Sequence, residues 1–173
     1  MRFSYLDSCR QLQALSLLRG EPPRMPDRMP RYDGGEPWGV SFFRTIVTDK
    51  VLSNLTLPRT YFGRSEISRV SFQNTDFTES NLCWNDFADV DFSATTLVRC
   101  DLRSSLFDRV KFIGADLRGA DMRHSWFNAC IFDDATMDGA ILTQAQASRM
   151  AISEAQNAAM DWRNEDGPEP DGG

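Results

Sequence analysis

The sequence predicts an all-β solenoid, a chain wound into stacked coils, and two observations carry that prediction. A large apolar residue recurs at every fifth position as Phe62, Ile67, Phe72, Phe77, Leu82, Phe87, Phe92, Leu97, Leu102, Phe107, Phe112, Leu117, Met122, Phe127, Phe132, Met137 and Leu142. Two residues before each stands a smaller one, from Thr60, Ser65 and Val70 through Cys100 and Cys130 to Ala140. Five residues advance an α-helix by roughly 140° past a full turn and would scatter the apolar set around the cylinder. An odd step along a flat strand reverses its face. In extended chain, residues two apart share a side, so the small and the large residue both face inward. Turning the same way after each short segment closes a coil, and coils stack at the inter-strand spacing of about 4.8 Å.

The position between the two inward columns is often acidic or amide, as in Asp76, Asn81, Asp86, Asp91, Asp101, Asp116 and Asp121, and should face water. The units "ADLRG", "ADMRH", "CDLRS", "SNLCW" and "TDFTE" resemble the A(D/N)LXX units of pentapeptide-repeat proteins over residues 60 to 142. The resemblance implies a right-handed quadrilateral β-helix, four pentapeptides to a coil, and says much less about function.

The elements follow in chain order. Residues 1 to 38 form an N-terminal helix and a Pro-rich arm. The helix, over 4 to 19, has Leu6, Leu12, Leu15 and Leu18 at helical spacings and a stop at Gly20, Pro22 and Pro23. It is placed to cover the first coil. The arm, "EPPRMPDRMPRYDGGEPW", has the composition of a solvated linker wrapped on the domain. Residues 39 to 59 read as a degenerate first coil acting as a cap. "VSFFRT" at Val40 echoes "VSFQNT" at Val70, and Phe42, Val47, Leu52 and Leu57 continue the ladder, while Lys50 and Leu55 break the small column. Residues 143 to 162 read as one C-terminal helix with Ile152, Ala155, Ala159 and Trp162 on one side. Capping the coil is its favoured role and pairing two protomers as a homodimer the alternative. Residues 163 to 173 read as a disordered acidic tail.

Composition narrows the function classes. The 173 residues carry a formal charge of −6, which disfavours direct nucleic-acid or membrane binding. The N-terminus lacks an unbroken apolar stretch of signal-peptide type, and no apolar run could span a bilayer, so a cytoplasmic location is expected. Cys9, Cys83, Cys100 and Cys130 form no CxxC pair and accompany no histidine cluster, so no metal and no cofactor is expected. Cys100 and Cys130 fall in the inward column as packing thiols, and Cys83 is predicted to face outward. His124, the only histidine, lies on an outward position without a nucleophile beside it, and no catalytic residue is assigned. A non-enzymatic protein is expected.

Because positions twenty apart stack, the sequence maps onto four sides. The side of Phe62, Leu82, Leu102 and Met122 displays Arg64, Trp84, Arg103, Arg123 and His124, the most basic and aromatic set. The next displays Leu106 beneath Trp126, with Ile131 around the following corner, at positions that are otherwise polar. Such groups either lie beneath a flank or bind a partner. These eight residues are the partner-binding candidates, with Trp84 foremost because an aromatic flanked by arginine has the composition of a binding hot spot. The expected partner is a protein, and the expected role a protective one, toxin immunity or shielding of a target. Relatives that protect DNA gyrase are held to imitate duplex DNA, which is the narrower alternative; a scaffold or dimerisation module is the other. Four coils would span about 20 Å, where B-DNA carries roughly 12 phosphates. Residues 60 to 142 hold 13 acidic against 8 basic side chains, weak for such a mimic.

Overall fold

A computed structural model describes residues 1–31 and 39–163. The chain is a parallel β-solenoid of about six turns with few helices. Its elements are α1 (Tyr5–Ala14), β1 (Ser41–Phe43), β2 (Ile46–Val51), β3 (Tyr61–Gly63), β4 (Glu66–Ser71), β5 (Asp86–Ala88), β6 (Leu106–Asp108), β7 (Trp126–Asn128), β8 (Ile141–Thr143), α2 (Gln144–Ala147), α3 (Glu154–Ala159) and β9 (Asp161–Arg163). Every pairing is parallel with a register of twenty residues: Phe42 opposite Phe62, Val47 opposite Ile67, Phe107 opposite Phe127. Four pentapeptides therefore make one circuit. The longest sheet, β2-β4-β5-β6-β7, forms one side of the stack.

The corner has a definite place in each unit. Every fifth residue from Arg44 to Gly139 has positive φ, between 50° and 70°, and redirects the chain two residues after each large apolar site. Only Gly114, Gly119 and Gly139 among them are glycine; the rest hold an L side chain in the left-handed region, at a cost of roughly 1 kcal/mol each. Stacked coils over-determine these turns.

All seventeen ladder residues are buried. Two sides carry parallel ring stacks, Phe87–Phe107–Phe127 and Phe72–Phe92–Phe112–Phe132, with centroids 5.0 to 5.5 Å apart. The stacks meet edge to face, as Phe107 does Phe112 at 5.6 Å. The small column is polar where the backbone requires it. Ser65, Asn85, Ser105 and Ser125 each accept from the backbone N–H twenty residues earlier and donate to the carbonyl twenty-three residues earlier. Each thus satisfies one donor and one acceptor left unpaired at a buried corner.

Both ends are closed. Ser4 caps α1 by accepting from the Asp7 N–H, and α1 buries Ser8, Cys9 and Leu12 against the first coil. Ser8 Oγ accepts from the Thr56 N–H at 2.8 Å, doing for the first coil what the Leu55 carbonyl does for the Asp76 N–H one coil on. The helix is shorter than expected: Leu15 caps it and Ser16 turns left-handed at φ 60°. Leu6 and Leu15 face outward, because Cys9 and Leu12 form its buried stripe. In the first coil Phe42, Val47, Leu52 and Leu57 are buried as expected, and Leu55, which breaks the small column, is buried as well.

The single helix expected over 143 to 162 is corrected. The segment instead completes one more circuit, with two one-turn helices set into it, and Trp162 lies in β9 opposite Leu142. Gln146 and Gln156 stand third in α2 and α3. Each accepts from the N–H three residues back, at Thr143 and Ser153. Each amide donates into the coil below, Gln146 to the carbonyls of Met122 and Ser125, Gln156 to those of Phe132 and Ala135. Helix-forming composition yields here to the register, since only these breaks place Met150 and Met160 inward. The tail beyond Arg163 and arm residues 32–38 lie outside the described residues.

Candidate protein-binding face

The Asp/Asn column is a brace. Asp76, Asn81, Asp91, Asp101, Asp116 and Asp121 each accept from the backbone N–H two residues on. On the side of Phe62 the acids also hold arginines. Asp101 pairs with Arg103 at 2.9 Å, Asp121 with Arg123 at 2.7 Å, and Arg103 reaches Asp121 at 3.6 Å. These side chains are 13 to 19% exposed, so Arg103 and Arg123 form a neutralised wall and not the open basic face the sequence predicts. The acid two residues away, on the same side, is what removes them from display.

Cys83 is corrected from outward to buried, 2% exposed. The arm causes this: Asn81 Nδ2 donates to the Pro30 carbonyl at 3.0 Å, and Arg59 to that of Pro26, laying the arm over this side. Asn81 is buried with it, against the expectation that its column faces water, and Cys83 Sγ donates to Asn81 Oδ1. Burial pushes the Cys83 thiol up to about 12. Cys9, Cys100 and Cys130 are buried free thiols, also raised by burial.

The corner between the sides of Phe62 and Ile67 stacks Arg64, Trp84, Ser104 and His124, all with positive φ. Arg64 lies 6.0 Å from the Trp84 ring centroid. Trp84 is half-buried, and its indole N–H is buried without a hydrogen-bond partner among the described residues. His124 is half-buried too. Beyond this corner, pairing in the long sheet aligns Glu66, Asp86, Leu106 and Trp126 as an outward ladder. Leu106 is 40% and Trp126 48% exposed. Arg149, from the last circuit, lies over one face of the Trp126 ring at 3.4 Å from its centroid. Ile131 is exposed on the following side, away from this ladder. The structure thus brings Trp84, His124, Leu106 and Trp126 to one edge, with Arg64 at its N-terminal end; Arg103 and Arg123 are tied into the neighbouring side.

A neighbouring ladder alternates in charge. Arg69 pairs with Asp49 at 2.7 Å and Arg109 with Asp89 at 2.8 Å, each holding its aspartate below the ordinary carboxylate range. Among the described residues no group of three or more His, Cys, Asp or Glu could hold a metal ion, and no helix is long and apolar enough to cross a membrane.

A family model for pentapeptide repeats matches residues 86–123 in eight copies, inside the coils just described. Pentapeptide repeats are thus present over these residues. Comparison with curated proteins found no match for the chain. Solved structures similar to this chain include Rfr23, a pentapeptide repeat protein from the cyanobacterium Cyanothece 51142, at 12% identity over 61% of this chain and 85% of that one, TM-score 0.40. A pentapeptide repeat protein of the Arabidopsis thaliana thylakoid lumen is similar at 19% identity over 73% and 82%, TM-score 0.38. Trypsin-treated QnrB1, a plasmid-mediated fluoroquinolone resistance protein, is similar at 11% identity over 72% and 84%, TM-score 0.41. The eight matched units include Leu106, which follows Glu66 and Asp86 in the outward ladder.

Proposed function

We propose that the protein is a non-catalytic binding module that protects or shields a protein target by occluding it with a rigid wall. The observation that carries this reading is the pair Leu106 and Trp126, large, exposed and stacked one rung apart on the long parallel sheet. The two rungs before them, Glu66 and Asp86, are charged, so a large apolar side chain at this place is not required by the coil. A wall of stacked strands loses little freedom on binding, which favours tight association over a modest area. Trp84 and His124 extend the patch around the corner. The DNA-mimic reading is disfavoured by the ion pairs, because Asp49, Asp89, Asp101, Asp116 and Asp121 all face guanidinium groups and present no bare charge row.

Affinity capture from source-cell extract, followed by titration of the purified partner, tests the reading. Replacing both Leu106 and Trp126 by Ala should weaken binding about a hundredfold, as expected for hot-spot aromatics, with the melting temperature nearly unchanged. A partner bound equally well by the double variant would sink it. Arg103→Ala is a poor probe, since it would strand the half-buried Asp101 and Asp121.

A further inference from the structure

We propose that Arg149, stacked on Trp126, is a carboxylate receptor, and that the protein partner meets this face with an aspartate or glutamate set beside an apolar side chain. The inference rests on the Leu106–Trp126 face being the contact surface and adds the chemistry that the partner must bring to it. Leu106 enters the face from the coil before Trp126 and Arg149 from the circuit after it, so Trp126 has an aliphatic neighbour on one side and a cationic one on the other.

The guanidinium is held in place but not satisfied. Its Cζ lies 3.4 Å from the centroid of the Trp126 ring, a separation it reaches only by lying flat on the indole. Stacking occupies its face and leaves the N–H donors, which lie in its plane, open at the edge. Among the described residues no acceptor takes a hydrogen bond from the Arg149 side chain and no carboxylate pairs with it, and the residue is exposed. Every other arginine after Arg64 holds a carboxylate, as Arg109 holds Asp89 at 2.8 Å and Arg118 holds Asp116 at 2.6 Å. The backbone that carries Arg149 is fixed as well. Its N–H donates to the Gln146 carbonyl, and Gln146 is tied to the coil below at Met122 and Ser125. Little freedom is therefore lost when a ligand takes up the donors.

Charge and shape select the occupant. A planar fork of donors with a single charge matches a carboxylate, which accepts two parallel N–H bonds. A phosphate dianion fits less well, because the outward column offers no second cation and its earlier rungs are Glu66 and Asp86. Asp108, beside Leu106, is taken up by Arg109 and Asn128 and does not compete for Arg149. Leu106 and the open part of Trp126 keep water from the contact, which strengthens a charged hydrogen bond. With rungs about 4.8 Å apart, the carboxylate and the apolar group come from one short segment of the partner.

Two peptides that differ in one group, acetyl-Phe-Glu-Leu amide and acetyl-Phe-Gln-Leu amide, are titrated against the isotope-labelled full chain while NMR follows the Trp126 indole N–H and the Arg149 Nε–H. Saturable millimolar binding of the glutamate peptide is expected, with the glutamine peptide about tenfold weaker. Arg149→Gln should make the two peptides equal and Arg149→Lys should keep only part of the difference, at an unchanged melting temperature. No saturation of the glutamate peptide below about 10 mM, or a preference for it that survives Arg149→Gln, would overturn the proposal. A phosphoserine peptide of the same frame that binds about tenfold tighter than the glutamate peptide would assign the site to phosphate and overturn it too. The face and the receptor can fail separately. Two peptides bound alike, and both weakened by Leu106→Ala, would keep the face and sink the receptor, whereas a glutamate preference that depends on Arg149 upholds the receptor even where extract yields no partner.

Discussion

Gly114 shows what a corner asks of one residue. Its φ is +65° and a Cβ built there meets nothing within 4 Å, so backbone conformation alone decides the effect of a side chain. Gly114→Ala should destabilise the fold by about 1 kcal/mol in chemical denaturation, through left-handed strain and not through a clash. A loss of several kcal/mol would mean that the corner cannot relax at all. The inward columns were legible in the sequence because burial imposes a side-chain class at each position. The corners were not, because Arg44, Glu79, Trp84 and Ala94 all serve there and residue type carries no common signal. Cys83 was misread for a related reason: the repeat sets its direction, but a distant segment, the arm at Pro30, sets its burial.

At the scale of elements, the last circuit shows how an open coil is finished. Its glutamines serve helix and coil at once, and they differ in burial: Gln146 is 8% exposed, Gln156 half-buried. Gln146→Ala would leave two buried carbonyls and the Thr143 N–H unpaired, a cost of about 2–3 kcal/mol in denaturant unfolding, and Gln156→Ala about 1 kcal/mol. Equal effects would mean that the two helical turns are not graded by burial as described. Periodicity alone could not separate this circuit from a helix, since Ala and Gln favour helix and the spacing of Ile152, Ala155, Ala159 and Trp162 fits one. The distinguishing signal was Met150 and Met160, which keep phase with the small column and so mark a coil. The candidate face was legible in part. Leu106 and Trp126 announced themselves by breaking a polar column, whereas Arg103 and Arg123 looked equally available until Asp101 and Asp121 were placed beside them.

For the whole molecule, the surface carboxylates set the response to acid. Arg69, Arg109, Arg118 and Arg163 hold Asp49, Asp89, Asp116 and Asp161 below the ordinary carboxylate range by hydrogen bonding to the ionised form. A carboxyl whose folded value is depressed contributes stability above its unfolded value, and that contribution is lost as pH falls through the folded value. Stability should therefore hold down to about pH 4 and decline below it, by an amount that shrinks at high salt because these pairs are largely exposed. Denaturant midpoints measured from pH 7 to pH 2 at low and high ionic strength check this. A midpoint that rises on acidification would contradict it.

The register of twenty makes the chain behave as a phase-locked ribbon. Insertion of a full circuit lengthens the rod by one rung and returns every later residue to its own wall. Insertion of five residues keeps the core intact but rotates everything downstream by a quarter turn, carrying Trp126 off the Leu106 column. An insertion of one residue outside the corners breaks the sequence of inward columns at once. Length can thus vary without loss of fold only in fives, and without loss of the binding face only in twenties.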